Sequence, residues 1–364
     1  MFEPALRRTD SPPFNTEPCC DVRLCLTDFV MRLWDFVVIR WAGLRLFFFA
    51  ALHFSIVAYG ADVNDNVKLR DQLVRLGYEQ IELRRSGENR LFLFGKLDRR
   101  KHSVLVDTGW SFTTVSTDTA DKLEVRGERK RSPGDALSST NEHSSAVLIN
   151  RLRLGSVPFT NQPALVQNMI FNGQRAPFDV VLGCDFLIRS FAMIDCLNRR
   201  LYTRHAKPSQ EQQTEFESSL RQSGFLSVEL RRASPLSLIC PARLNGKSVD
   251  LLVDTGAVWS CLDTDLARSL GLQLLPTPRQ LTGSGMTGRR GFAVAKVGSV
   301  ELGGAKIPGQ NFAVLELRDW GLAAPGAALG DVHGILGGAE LAAYNAVIDC
   351  HGLKLWLKPL SASR

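Results

Sequence analysis

The sequence predicts an all-β chain of two similar lobes, with short helices and one functional site at the lobe junction. Three observations predict it. A long segment recurs after 147 residues. Each copy consists mostly of apolar runs of strand length and of alternating stretches. Each copy also carries the triplet Asp-Thr-Gly at the end of such a run.

The recurrence is gapless over its first block. Sliding the chain by 147 residues places Gly77–Arg85 on Gly224–Arg232, Leu97 on Leu244, and Val106-Asp107-Thr108-Gly109 on Val253-Asp254-Thr255-Gly256. It also places Thr117-Asp118 and Ala120 on Thr264-Asp265 and Ala267. Further on the offset is 154, matching Leu182-Gly183 with Leu336-Gly337 and Ile194-Asp195-Cys196 with Ile348-Asp349-Cys350. The second copy therefore holds seven extra residues between the two blocks. A period this long is a duplicated domain rather than a solenoid repeat.

Within a copy, Leu91–Leu97 and 104–106 are apolar and strand-length, as are 236–244 and 249–253. Segments 147–154 and 292–302 alternate with the period of a half-buried strand. Short helices are expected at 117–123 and 263–270, and after each Leu-Gly pair at 186–191 and 339–344. The polar stretch from Thr203 onward reads as a linker. The expected division is a leader over 1–60, an N-terminal lobe over 61–202, a linker over 203–219 and a C-terminal lobe over 220–364.

One Asp-Thr-Gly is a weak signal, but two at matching positions of a repeat are a strong one. Each follows an apolar strand and is followed later by two apolar residues and Gly, at 181–183 and 335–337. A carboxylate at the end of a buried strand, on a turn that glycine permits, is held rigidly at a lobe surface. A pseudo-twofold axis brings two such carboxylates together. Like charges that close share one proton and titrate as a pair. One carboxylate then takes a proton from water while the other gives one to a peptide carbonyl.

Val-Asp-Thr-Gly followed by an apolar-apolar-Gly element resembles the aspartic peptidases of the pepsin and retropepsin superfamily. The blocks LGCDFL…IDC and LGGAEL…IDC look most like bacterial retropepsin-like proteins. The resemblance spans about residues 73–202 and 220–357. It implies two pseudo-twofold-related, retropepsin-like β-barrel lobes fused in one chain, a monomer that hydrolyses polypeptides with no cofactor and no metal. It implies Asp107 and Asp254 as catalytic, with Thr108 and Thr255 hydrogen-bonded across the junction and Gly109 and Gly256 letting the backbone approach the dyad. It implies that the Leu-Gly pairs pack behind the active-site loops. It also implies a glycine-rich hairpin flap over bound peptide, for which Gly283, Ser284, Gly285 and Met286 are the candidates. The counterpart around 132–145 is polar and lacks the glycines.

The halves differ at one telling position. Trp110 follows the first triplet where the second has Ala257. It crowds the dyad, lines a specificity pocket or marks a decayed half; these readings leave a non-catalytic peptide-binding module as the alternative to an endopeptidase. Gly283–Gly288 also matches G-x-G-x-x-G, but a dinucleotide site needs a strand before it and a helix after it, and Pro276 and Pro278 precede it. The histidines show no metal-ligand spacing, and no C-x-x-C is present. Cys196 and Cys350 read as small buried hydrophobes, a disulfide between them being the alternative.

The remaining expectations concern location. Residues 40–61 read as a secretory signal, with Arg40 and Arg45, an apolar run over 46–58 and small residues at a cleavage point. Met31 offers a second start. A periplasmic or secreted protein follows, an uncleaved anchor being the alternative. The formal net charge of +7 falls entirely after residue 60, in short runs such as Arg99-Arg100-Lys101. Such runs read as a solvated basic face and argue against nucleic acid; association with a membrane or envelope through that face or the leader is the other reading.

Overall fold

The computed structural model describes residues 63–123, 126–132, 144–171, 174–281, 290–320 and 332–358. At its centre is a six-stranded antiparallel sheet to which each copy gives three strands. Its order is Glu79–Glu82, Arg200–Thr203, Met193–Asp195, Val347–Asp349, Lys354–Leu357 and Leu226–Glu229. The two halves meet where Met193–Asp195 pairs with Val347–Asp349, with Ile194 opposite Ile348. Those two residues are repeat-equivalent, so the pseudo-twofold axis passes between them.

Strand period divides the sheet into two faces. Ile194, Leu201, Ile348 and Leu355 are fully buried in the main core, which draws on both lobes. Met193, Tyr202, Val347 and Trp356 face the other way, against Leu69, Leu73, Phe216 and Leu220 of two helices. These helices, Val63–Arg75 and Gln210–Gln222, are also repeat mates. The repeat thus extends upstream of Leu73 and Leu220, and Gln72 hydrogen-bonds its own counterpart Ser219.

The second helix, Gln210–Gln222, begins within the expected linker, residues 203–219. Ser209 caps it, accepting from the Gln212 amide at 3.2 Å while Gln212 Oε1 accepts from the Ser209 amide at 3.0 Å. Phe216 and Leu220, four residues apart, suffice to dock it although the rest of the helix is polar.

Each lobe is a strongly curved sheet closed by an extra pairing. In the N-terminal lobe Leu91–Leu97 pairs with Arg100–Val106 and also with Ser144–Leu154. In the C-terminal lobe Ile239–Leu244 pairs with Lys247–Asp254 and also with Arg290–Leu302. Closure leaves fewer free edges. The strand that leads to each Asp-Thr-Gly lies parallel to the strand of its Leu-Gly pair, with Val106 opposite Leu182 and Asp254 opposite Gly337. The architecture is therefore the expected one in its mostly-β plan: two β-barrel lobes with short helices about a junction.

The expected short helices form as Thr117–Ala120, Thr264–Ser269, Cys184–Arg189 and Gly338–Ala343. The strands beginning at Val157 and Ala305 stand 148 residues apart, so six of the seven extra residues fall after Leu315. Cys184, Cys196, Cys240, Cys261 and Cys350 are buried and free. Burial pushes the Cys196 and Cys240 thiols up to about 12, so they stay neutral hydrophobes, and Cys196 and Cys350 form no disulfide. Asp195 and Asp349 hold the turns after their strands, accepting from the amides of Asn198 at 3.0 Å and Gly352 at 2.7 Å. Among the described residues no helix is long and apolar enough to cross a membrane. The signal segment lies outside the described residues.

Candidate active site

Each carboxylate stands where an apolar strand runs out. The Asp107 amide donates to the Leu182 carbonyl at 3.1 Å, which ties the turn to the neighbouring strand. Asp107 is 8% exposed. Asp107 Oδ1 accepts from the Gly109 amide at 2.9 Å. Asp254 Oδ1 accepts from two amides, Gly256 at 2.8 Å and Ala257 at 2.9 Å.

The two turns are locked to each other by their threonines. The Thr108 amide donates to Thr255 Oγ1, and the Thr255 amide to Thr108 Oγ1, both at 3.1 Å. Each hydroxyl in turn donates across the junction at 2.8 Å, Thr108 to the Val253 carbonyl and Thr255 to the Val106 carbonyl. All four bonds are buried, so every polar atom of both threonine side chains is satisfied in a medium where an orphan would be costly.

This lock brings the carboxylates into mutual hydrogen bonding. Each also sits against the other lobe's glycine. A Cβ added to Gly109 would lie 2.5 Å from Asp254 Oδ2, and one added to Gly256 would lie 2.7 Å from Asp107 Oδ1 and nearer still to Oδ2. Glycine at both positions is a steric requirement of the pair.

The pair is electrostatically unequal. Burial, the Asp254 charge and the hydrogen bond it donates to Asp254 push the Asp107 carboxyl well above the usual carboxylate range. Burial also raises Asp254, while its two amide donors and the Asp107 hydrogen bond favour its anion; the Arg90 charge acts downward on both carboxyls. The dyad therefore titrates as a pair that shares one proton, and the second amide donor favours the anion on Asp254. Arg90 Nε donates to the Gly256 carbonyl at 3.0 Å, while its Nη1 is 2.6 Å from Glu88. The repeat places a buried serine, Ser237, where Arg90 stands, so only one lobe contributes such a cation.

The Leu-Gly elements lie behind the loops. A Cβ on Gly183 would lie 2.8 Å from the Trp110 carbonyl oxygen, and one on Gly337 would lie 2.5 Å from that of Trp259. The next amides bind the loops, Cys184 to the Trp110 carbonyl at 2.8 Å and Gly338 to the Ala257 carbonyl at 2.9 Å. Behind each loop a half-buried carboxyl holds a second turn. Asp185 Oδ1 accepts from the Thr113 amide and hydroxyl at 2.6 and 2.8 Å, and Glu340 Oε2 from those of Ser260, both at 2.8 Å.

Sequence reasoning missed Asp185 and Glu340 because the repeat offset pairs Asp185 with Ala339. The carboxyl has moved one residue along its helix, and the longer Glu side chain restores the reach. Arg90 was missed because nothing in a lone arginine before a strand signals a partner 166 residues away.

Trp110 does not stand between the carboxylates. It packs against the cluster of Leu105, Met169, Ala176, Phe178 and Val181, and its Nε1 donates to Thr114 Oγ1 at 2.9 Å. Gly283, Ser284, Gly285 and Met286 lie outside the described residues, as does most of 132–145. The arms that carry both segments are paired, Leu281 with Arg290 and Ser132 with Ser144. Among the described residues no three His, Cys, Asp or Glu side chains converge as a metal site would need.

Comparison with known proteins matches the family model described as Aspartyl protease over residues 95–186 and 240–339, once in each half. Among solved structures, a retropepsin-like aspartic protease from Rickettsia conorii is similar at 19% identity over 35% of this chain and 90% of its own, with a TM-score of 0.27. An aspartic proteinase from Irpex lacteus is similar at 14% identity over 78% of this chain and 98% of its own, with a TM-score of 0.43. No curated protein sequence matches.

Proposed function

The chain belongs to the aspartyl protease family, and on that premise we propose that it is an endopeptidase whose catalytic residues are Asp107 and Asp254. The observation that carries the reading is the mutual approach of the two carboxylates, each against the glycine of the other lobe.

Asp254, the anion, takes a proton from a water molecule as its oxygen attacks the peptide carbonyl carbon. Asp107 gives its proton to the carbonyl oxygen. The tetrahedral diol then collapses. Asp254 passes the acquired proton to the leaving nitrogen, and Asp107 recovers one from a hydroxyl, so the dyad returns to its starting state. Thr108, Gly109, Thr255 and Gly256 support this step by fixing both carboxylates before substrate arrives. The glycine-rich segment containing Gly283, Ser284, Gly285 and Met286 is proposed to close over the bound polypeptide.

The leader supports action outside the cytoplasm, in the periplasm or beyond the cell. Purified chain should cut an unstructured protein, and a statine-containing peptide, which imitates the tetrahedral diol, should inhibit it. Peptide binding without turnover from acidic to neutral pH favours the non-catalytic module instead.

A further inference from the structure

The two halves of the cleft floor can be compared residue by residue. Strand period puts Leu105 on the same side as Asp107, and Leu252 on the same side as Asp254. Register extends each into a row across three strands: Phe92, Leu105 and Val181 in one lobe, Ile239, Leu252 and Ile335 in the other. These rows are repeat mates, and each is the apolar ground beside one carboxylate. A polypeptide with its scissile bond at the dyad lays one flanking side chain over each row.

The rows are covered differently. On the Asp107 side the cover is Trp110, one residue past Gly109, so it belongs to the dyad loop itself. Its indole packs against the apolar cluster that contains Leu105, Val181, Phe178, Met169 and Ala176. The N–H bond to Thr114 fixes it, and Thr114 stands opposite Val181 on the same side of the sheet. In the other lobe the matching residues are Ala257 for Trp110 and Cys261 for Thr114, with Cys261 opposite Ile335. The tryptophan and its hydrogen-bond acceptor are thus present together in one half and absent together from the other. There the row packs with Phe292 and Trp259, whose ring centroids are 6.2 Å apart and neither of which belongs to the Asp-Thr-Gly turn.

We propose that Trp110 is a specificity-determining residue: its anchored indole occupies the side-chain site beside Asp107, so one of the two positions flanking the scissile bond accepts only small residues. This rests on the peptidase reading. A hydroxyl-held tryptophan is not a remnant of a failing half, since its one polar atom is satisfied.

The test is cleavage-site profiling of an unfolded protein mixture by the full chain and by Trp110→Ala. The wild type should select Gly, Ala or Ser at one flanking position. Trp110→Ala should accept Leu and Phe there, with kcat/KM for those sites raised roughly tenfold or more. Trp110→Phe, which keeps the ring and loses the N–H bond, should fall between them and serves where the alanine variant unfolds. Calorimetric binding of two statine peptides, differing only in Ala or Leu at that position, gives a readout without turnover; the alanine variant should gain affinity for the Leu peptide alone. Unchanged profiles and affinities in both variants overturn the assignment while leaving the peptidase intact. Absence of both cleavage and statine binding in the wild type overturns the peptidase reading, and this assignment with it.

Discussion

Thr108 and Thr255 exchange backbone-to-hydroxyl hydrogen bonds of equal length, 3.1 Å, across the pseudo-twofold axis. They are repeat mates that touch one another, so the lock is made of the duplication itself. It holds two loops, from different lobes, in one rigid relation before anything binds.

Removing either hydroxyl tests the lock. Thr108→Val orphans the Thr255 amide and the Val253 carbonyl, and Thr255→Val does the converse. Each orphaned buried group costs about 1–3 kcal/mol. Urea unfolding should show a fall of that size or more for either valine variant, with Thr108→Ser close to wild type because it keeps the hydroxyl.

The glycines predict a different failure. Gly109→Ala and Gly256→Ala place a methyl no more than 2.7 Å from both carboxylate oxygens of the partner lobe's aspartate. The carboxylates must separate, so turnover should drop by roughly a hundredfold or more. Thermal unfolding should confirm that the variants still fold. Near-normal kcat in either variant would mean that the dyad tolerates separation.

Much of this was legible in the sequence, for a physical reason. The repeat pairs residues by number, and an axis relating two copies must bring some of them together; the Asp-Thr-Gly turns pointed to Asp107 with Asp254, while the meeting of Ile194 with Ile348 appears only in the fold. Leu91–Leu97 and the 104–106 run showed as strands because both faces are apolar. The helix Gln210–Gln222 did not show, since only Phe216 and Leu220 mark its buried stripe. Asp185 and Glu340 did not show, since what the two lobes share is the carboxyl position in space, reached from different helix positions. The pairing of Trp110 with Thr114 gave a signal in hindsight, as two departures at once from the second copy.

The buried carboxyls predict how stability depends on pH. Burial raises Asp185, Asp195, Glu340 and Asp349 above their ordinary values. A carboxyl whose folded value is raised contributes stability that is complete below its unfolded pKa, near 4, and is lost as pH rises through its folded value. The melting temperature should therefore be higher near pH 4.5 than near pH 8. Glu340→Gln, which keeps an acceptor for Ser260 without the titration, should flatten that slope.

Catalysis should follow the shared proton. The active dyad carries one proton, so kcat/KM should be bell-shaped in pH. Because burial and the Asp254 charge hold the Asp107 carboxyl well above the usual range, the basic limb should lie well above pH 4. A rate profile that collapses on the basic side near pH 4 would contradict a buried dyad that keeps one shared proton.

The most direct measurement is digestion of an unstructured protein by the purified full chain, by Asp107→Asn and by Asp254→Asn, with folding of all three verified by circular dichroism. One active site built from two halves predicts that the wild type cuts and that each single substitution abolishes cutting. Cutting that survives either substitution would contradict it.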